Sequence, residues 1–146
     1  MKEAPILDGW SFEYSFDVDV DNRLIYEKIY GIWRPETAVK YHDEFMLEVA
    51  DLIEHPWAKL IDLSSWKTAD QKVIETIGQH LEWCRTNNMV WSVNIIDNPV
   101  TYAHLMRMFE RGGTKEISKT FRTLSEGEKF LREEGFNVKS FADRNW

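Results

Sequence analysis

Residues 58–84 read Ala58-Lys59-Leu60-Ile61-Asp62-Leu63, then Ser64-Ser65-Trp66-Lys67-Thr68-Ala69-Asp70, then Gln71-Lys72-Val73-Ile74-Glu75-Thr76-Ile77-Gly78-Gln79-His80-Leu81-Glu82-Trp83-Cys84. The first piece is a short apolar run of the length of a buried strand. The second is polar and rich in turn formers, and it reads as a loop. In the third, Val73, Ile77, Leu81 and Cys84 recur at helical spacing and form one apolar stripe. Thr68 with Gln71 three residues on gives a capping box for that helix, and Asn87-Asn88 ends it. Strand, loop and helix in that order argue for a parallel neighbour strand reached by a right-handed helical crossover.

The rest of the chain extends this alternation. Phe12, Tyr14, Phe16 and Val18 alternate with acids, as in a strand with one wet face. Asp21-Asn22 turns the chain, and Leu24–Ile32 returns as the second arm of a hairpin. Pro35 suits a first helical position, and Tyr41, Phe45, Val49 and Leu52 stripe a helix that His55-Pro56 stops. Met89–Ile96 is again strand-like. Asn98-Pro99 opens a helix carrying Tyr102, Met106 and Phe109, and Gly112-Gly113 closes it. Ile117–Phe121 makes a last short strand. Ser125 with Glu128 forms a second capping box for a helix ending at Gly135, and Phe136–Trp146 is left unassigned. The expected strands are Phe12–Asp19, Leu24–Ile32, Lys59–Leu63, Val90–Ile96 and Ile117–Phe121, in the order β-β-α-β-α-β-α-β-α. This is an α/β fold with a single mixed β-sheet. Phe45, Val49, Ile61, Ile77, Leu81, Val93 and Ile95 are expected to share one core.

Composition bounds the function. A chain of 146 residues fits one domain, 1–146, with its ordered core at about 11–135, and 43% hydrophobic residues can build that core. A single cysteine excludes an internal disulfide and suits a reducing compartment. The N-terminus has no signal-peptide pattern, and no run approaches about 18 apolar residues, so a cytoplasmic protein without membrane insertion is expected. The net charge of −7 argues against nucleic acid as a partner. Arg107, Arg111, Lys115 and Lys119 recur every four residues, but Gly112-Gly113 interrupts the helix that would stack them, and they read as a solvated face.

Catalytic motifs are absent: the chain has no glycine-rich phosphate loop, CxxC, HExxH or GxSxG. No metal and no cofactor are expected. The strongest enzyme-like pairing is His80 with Cys84, one turn apart, where an imidazole would activate a thiol. Against it, both positions continue the apolar stripe through Ile77, where a cysteine is normally an inert small hydrophobe. Among the seven tryptophans, Trp57 and Trp91 flank or enter strands and belong to the core. Trp10, Trp33, Trp66 and Trp83 are harder to bury by pattern, and exposed tryptophans concentrate at contact surfaces. For Trp66 the competing reading is a lid folded over the core.

Leu60–Asp70 resembles the third strand and following loop of STAS domains, which include the bacterial anti-sigma-factor antagonists and domains of sulfate transporters. Thr120-Phe121-Arg122-Thr123-Leu124-Ser125-Glu126-Gly127-Glu128 resembles that family's last strand running into its last helix. The element order over residues 11–135 matches as well. The branch it looks most like is the STAS-like one grouped with the CRAL-TRIO lipid carriers. The resemblance implies the SpoIIAA-like fold, with helices packed mainly on one face of the sheet. It also implies partner switching, in which a kinase phosphorylates a serine at the start of the second helix and undocks the partner. Asp62-Leu63-Ser64 and Asp70 match the family pattern, but Gln71 and Lys72 stand where it has serines and Val73 where it has glycine. No hydroxyl lies at the position of the phosphate.

The expected binding surface is Ser64, Ser65, Trp66, Lys67, Thr68 and Asp70. A strand end meets a helix start there, with free backbone N–H groups, hydroxyls and one cation. On this reading Trp66→Ala abolishes partner binding and leaves the melting temperature nearly unchanged. The functional expectation is a non-catalytic regulatory domain that docks a protein partner or itself. The alternative is a carrier or sensor of a small apolar or anionic ligand, for which an apolar cavity between helices and sheet would speak.

Overall fold

The computed structural model describes residues 13–68 and 70–144. Five strands form one sheet in the order β1-β2-β3-β4-β5: β1 Tyr14–Asp19, β2 Leu24–Ile32, β3 Trp57–Lys67, β4 Met89–Ile95 and β5 Ser118–Phe121. β1 is antiparallel to β2, and every later pair is parallel. The helices are α1 Pro35–Glu48, α2 Gln71–Thr86, α3 Pro99–Gly112 and α4 Leu124–Glu133. The expected strand over Phe12 begins outside the described residues.

Because the strand order steps in one direction from β2 to β5, right-handed crossovers place α1, α2 and α3 on the same face. Side chains of all three share a core with Ile25, Ile29 and Ile61 of the sheet. α4 has no following strand and packs on the opposite face, where Leu131 joins Leu24, Leu60, Val93 and Ile95. The expected single core is therefore two. Phe45, Val49, Ile61, Ile77 and Leu81 lie on the three-helix face, whereas Val93 and Ile95 alternate to the α4 face. The tail closes that second layer. Phe136, Val138 and Phe141 are buried in it, and Arg144 pairs with Asp17 at 2.7 Å.

Three helix ends differ from the sequence reading. Asp70, not Thr68, caps α2, because the preceding strand runs longer than expected. α4 is opened by a capping box of Thr123 with Glu126, which frees Glu128 to accept the Phe141 N–H at 2.6 Å and so hold the tail. α1 stops at Glu48, and Val49 and Leu52 reach the core from the turns that follow. The α3 signals hold: Asn98 accepts the N–H groups of Val100 and Thr101, and Gly113 ends the helix at φ 70°. Just before it, Gly112 permits close approach of α3 to α2, since a Cβ there would lie 2.6 Å from the Gly78 carbonyl.

Candidate functional site

The stretch read as a polar loop is strand. Ser64–Lys67 extend β3 along the end of β2, with Tyr30 opposite Ser65, Gly31 opposite Trp66 and Ile32 opposite Lys67. Between the Lys28–Asp62 and Tyr30–Ser65 pairs, β3 holds one residue more than β2. That bulge reverses the alternation. Ile61 and Leu63 face the helices before it, and Trp66 faces them after it. The reversal sets two polar residues, Ser64 and Ser65, side by side, which disguises the strand. Asp62 braces the bend by accepting both the backbone N–H and the hydroxyl of Ser64.

The six expected site residues therefore separate. Ser64, Ser65, Lys67 and Asp70 are exposed, whereas Trp66 and Thr68 are buried. Asp70 is occupied as a cap, accepting the Lys72 N–H at 2.8 Å. Trp66 is only 3% exposed and meets Trp33 edge-on at 5.6 Å. It closes the end of the core, which is the lid role.

What the strand ends do present is apolar area around the start of α3. Ile32 is 72% exposed, Val100 66% and Tyr102 44%. A groove of about 410 Å³ runs between Ile32, Lys67, Thr68, Val100, Thr101 and His104. A second, of about 510 Å³, lies on the other side of the helix start, lined by Pro99, Tyr102, Phe121 and Arg122. Ile32 and Val100 border the first groove and Tyr102 the second. Ile32 and Val100 escaped the sequence reading because they are far apart in the chain, and only the crossover joins them. The Arg107 and Arg111 positions are engaged in structure. Arg107 donates to Gln71, and Arg111 pairs with Glu75 and Glu82, bridging α3 to α2.

A polar cluster is buried on the three-helix face. Lys59 Nζ lies 3.4 Å from Glu27 Oε2, with both side chains withdrawn from solvent. The Tyr41 hydroxyl donates to the other Glu27 oxygen. Lys59 Nζ is 3.1 Å from His80 Nε2, and His80 Nδ1 is 2.9 Å from Nδ1 of half-buried His42. Burial pushes the Glu27 carboxyl up, and the Lys59 charge and the Tyr41 hydrogen bond oppose the shift. Burial also lowers His80, and Lys59 and His42 add to the effect. Cys84 Sγ sits 3.6 Å from His80 Nε2, but burial pushes its thiol up to about 12, so it is not an activated nucleophile. Labelling of Cys84 by a thiol-reactive dye under native conditions at neutral pH is expected to be at least about a hundredfold slower than in urea. Rapid native labelling that slows in His80→Ala would restore the enzyme reading.

A cavity of about 30 Å³ lies beside this cluster, lined by Tyr41, Lys59, His80, Trp66, Asn94 and Met108 among others. That is room for one or two waters, whereas a small-molecule cleft or cavity takes about 300–1,000 Å³, a range that only the two grooves at the start of α3 reach among the pockets described. The cavity does not accommodate a lipid or a cofactor in this conformation. Among the described residues no cluster of His, Cys, Asp and Glu is placed to hold a metal ion, and no helix is long and apolar enough to cross a membrane.

No family model and no curated protein sequence matches the chain. Solved structures do. The NMR structure of the protein TM1081 is 14% identical with a TM-score of 0.56, covering 90% of this chain and 98% of its own. The crystal structure of an anti-sigma factor antagonist from Mycobacterium paratuberculosis is 16% identical with a TM-score of 0.53, covering 82% of this chain and 94% of its own. At such identity the likeness is one of architecture, and it spans most of every chain involved. With its mixed five-stranded sheet and four helices, the chain has the STAS-like fold that its sequence resembles.

Proposed function

We propose that this chain is a non-catalytic regulatory domain that docks a second, different protein through the face around the start of α3. The observation that carries the reading is the exposed Ile32, Val100 and Tyr102 group beside two grooves. A partner protein with an apolar contact patch fits that face. The fold, shared with a structure described as an anti-sigma factor antagonist, supports a regulatory role. Burial of the thiol and of the charged cluster argues against chemistry there. Of the expected site, Lys67 and Thr68 line the first groove and the Trp66 carbonyl accepts from the Thr101 hydroxyl of α3, whereas Ser64 and Ser65 line neither groove.

Val100→Asp tests the reading. An acid in the first turn of α3 suits the helix dipole, so folding is spared. The protein that co-purifies with the chain from its own cells is expected to bind the variant at least about tenfold more weakly, because docking would bury an unpaired carboxylate in an apolar contact. Leu47→Asp, on the far end of α1, removes an equally exposed apolar side chain and is expected to bind normally. Equal binding by wild type and Val100→Asp, equal loss in both variants, or the co-purification of no protein at all would each overturn the assignment.

A further inference from the structure

The geometry points to a proton-operated latch between α1 and α2, formed by His42 and His80, as a regulatory device built into this fold. The hydrogen-bond roles follow from the one group in the cluster that only donates. Lys59 Nζ faces Glu27 Oε2 and lies 4.5 Å from the centre of the Phe45 ring, and both contacts favour an ammonium. An ammonium has no lone pair, so His80 Nε2, at 3.1 Å, must accept from it. Neutral His80 then carries its proton on Nδ1 and donates it across 2.9 Å to His42 Nδ1. The proton of neutral His42 is on Nε2. A second proton arriving at His42 Nδ1 sets two N–H groups face to face. His80 cannot relieve this by moving its own proton to Nε2, because that nitrogen faces the ammonium. The contact holds only while His42 is neutral.

Among the described residues, the charges facing the pair are these. On α1, Asp43 favours the His42 proton, and the Tyr41 hydroxyl is committed to Glu27 of β2. Lys59 of β3 disfavours protonation of both histidines. On α2 the Cys84 thiol faces His80 Nε2, and the Trp83 ring meets His42 edge-on at 5.9 Å. Tyr14 of β1 meets the Tyr41 ring edge-on and donates its hydroxyl to Glu44 of α1 at 2.6 Å. Burial, first among the causes, holds both histidines below the usual 6.5 in the closed form. Opening of α1 restores the ordinary value of His42 alone, since His80 Nε2 stays on the Lys59 ammonium, so the open form binds one proton more strongly. The latch is therefore strongest above about pH 6.5 and weakens as pH falls below it. His42 is half-buried and reachable from solvent, whereas His80 is not, so His42 is where a proton arrives. This device is independent of the docking face and is read without any partner.

Amide exchange in α1, corrected for intrinsic rates, is expected to accelerate about tenfold in the wild type between about pH 7.5 and pH 5.5, the ratio given by one extra proton bound on opening. His42→Asn places a non-titrating carbonyl oxygen where Nδ1 accepts, and its exchange is expected to be flat over the same range. No acceleration in the wild type, or equal acceleration in both proteins, overturns the latch. If His42→Asn fails to fold, ring ¹⁵N shifts of the wild type decide alone. At about pH 8 His80 must be the Nδ1–H tautomer and His42 the Nε2–H tautomer, and the opposite tautomer on either ring overturns the proposal.

Discussion

Lys59→Ala is expected to lower folding stability by about 3–5 kcal/mol, measured by urea unfolding near pH 7.5 with an unchanged m-value. The magnitude comes from what the substitution strands. Lys59 is the cation opposite buried Glu27 and the donor to buried His80, and neither can turn to water. With Lys59 gone, Glu27 must either stay ionised without a partner or take up a proton, and both cost folding free energy. The effect therefore lies in the desolvated partner left behind, not in the Coulomb attraction lost. A double variant separates these. Lys59→Met with Glu27→Gln removes both charges and keeps an oxygen for the Tyr41 hydroxyl, and it is expected to regain at least about half of the loss, as buried ion pairs replaced together often do. A single-variant loss below about 1 kcal/mol would mean that Lys59 escapes to solvent and that the cluster is not the closed network described.

Trp66→Ala is expected to cost about 3–5 kcal/mol as well, by truncating a large buried ring. Trp66 packs against Trp33, which itself meets Tyr14 and Tyr41, so one truncation loosens an aromatic row. Trp66→Phe retains a ring against Trp33 and gives up an indole N–H that meets no acceptor among the described residues. It is expected to cost less than half as much. Thermal unfolding of the two variants checks this. Should Trp66→Ala melt with the wild type yet lose its partner, Trp66 would be the surface contact that the sequence suggests, and the burial described here would not hold in solution.

The fold was legible because two periods, 2 and 3.6, leave different marks. The alternation of Tyr14, Phe16 and Val18, and the stripe of Val73, Ile77, Leu81 and Cys84, each specify an element without reference to the rest of the chain. The expected strand Leu24–Ile32 coincides with β2 to the residue. Local chemistry also marked the start and end of α3, since Asn98, Pro99 and Gly113 act within their own turns. Where the reading failed, the deciding contact was distant. Ser64–Lys67 are strand only because β2 pairs with them, and the bulge that hides their alternation exists only in that pairing. Val93 and Ile95 lie in the other layer from the one the sequence suggests, because alternation says which residues share a face but not which helix covers it.

The same division holds for function. By itself the sequence determined the element order, the resemblance to STAS domains and the lack of short catalytic motifs, all properties of neighbouring residues. Only the tertiary structure decided that Trp66 lies inward, that Ile32 and Val100 share one groove, and that Glu27, Lys59 and His80 meet away from water. Glu27, Lys59 and His80 come from β2, β3 and α2, and each alone reads as an ordinary polar residue. The physical reason is that burial is a property of the assembled layers. Lys59 follows the alternation of its strand onto the three-helix face, and the helices that close over it are specified elsewhere in the chain.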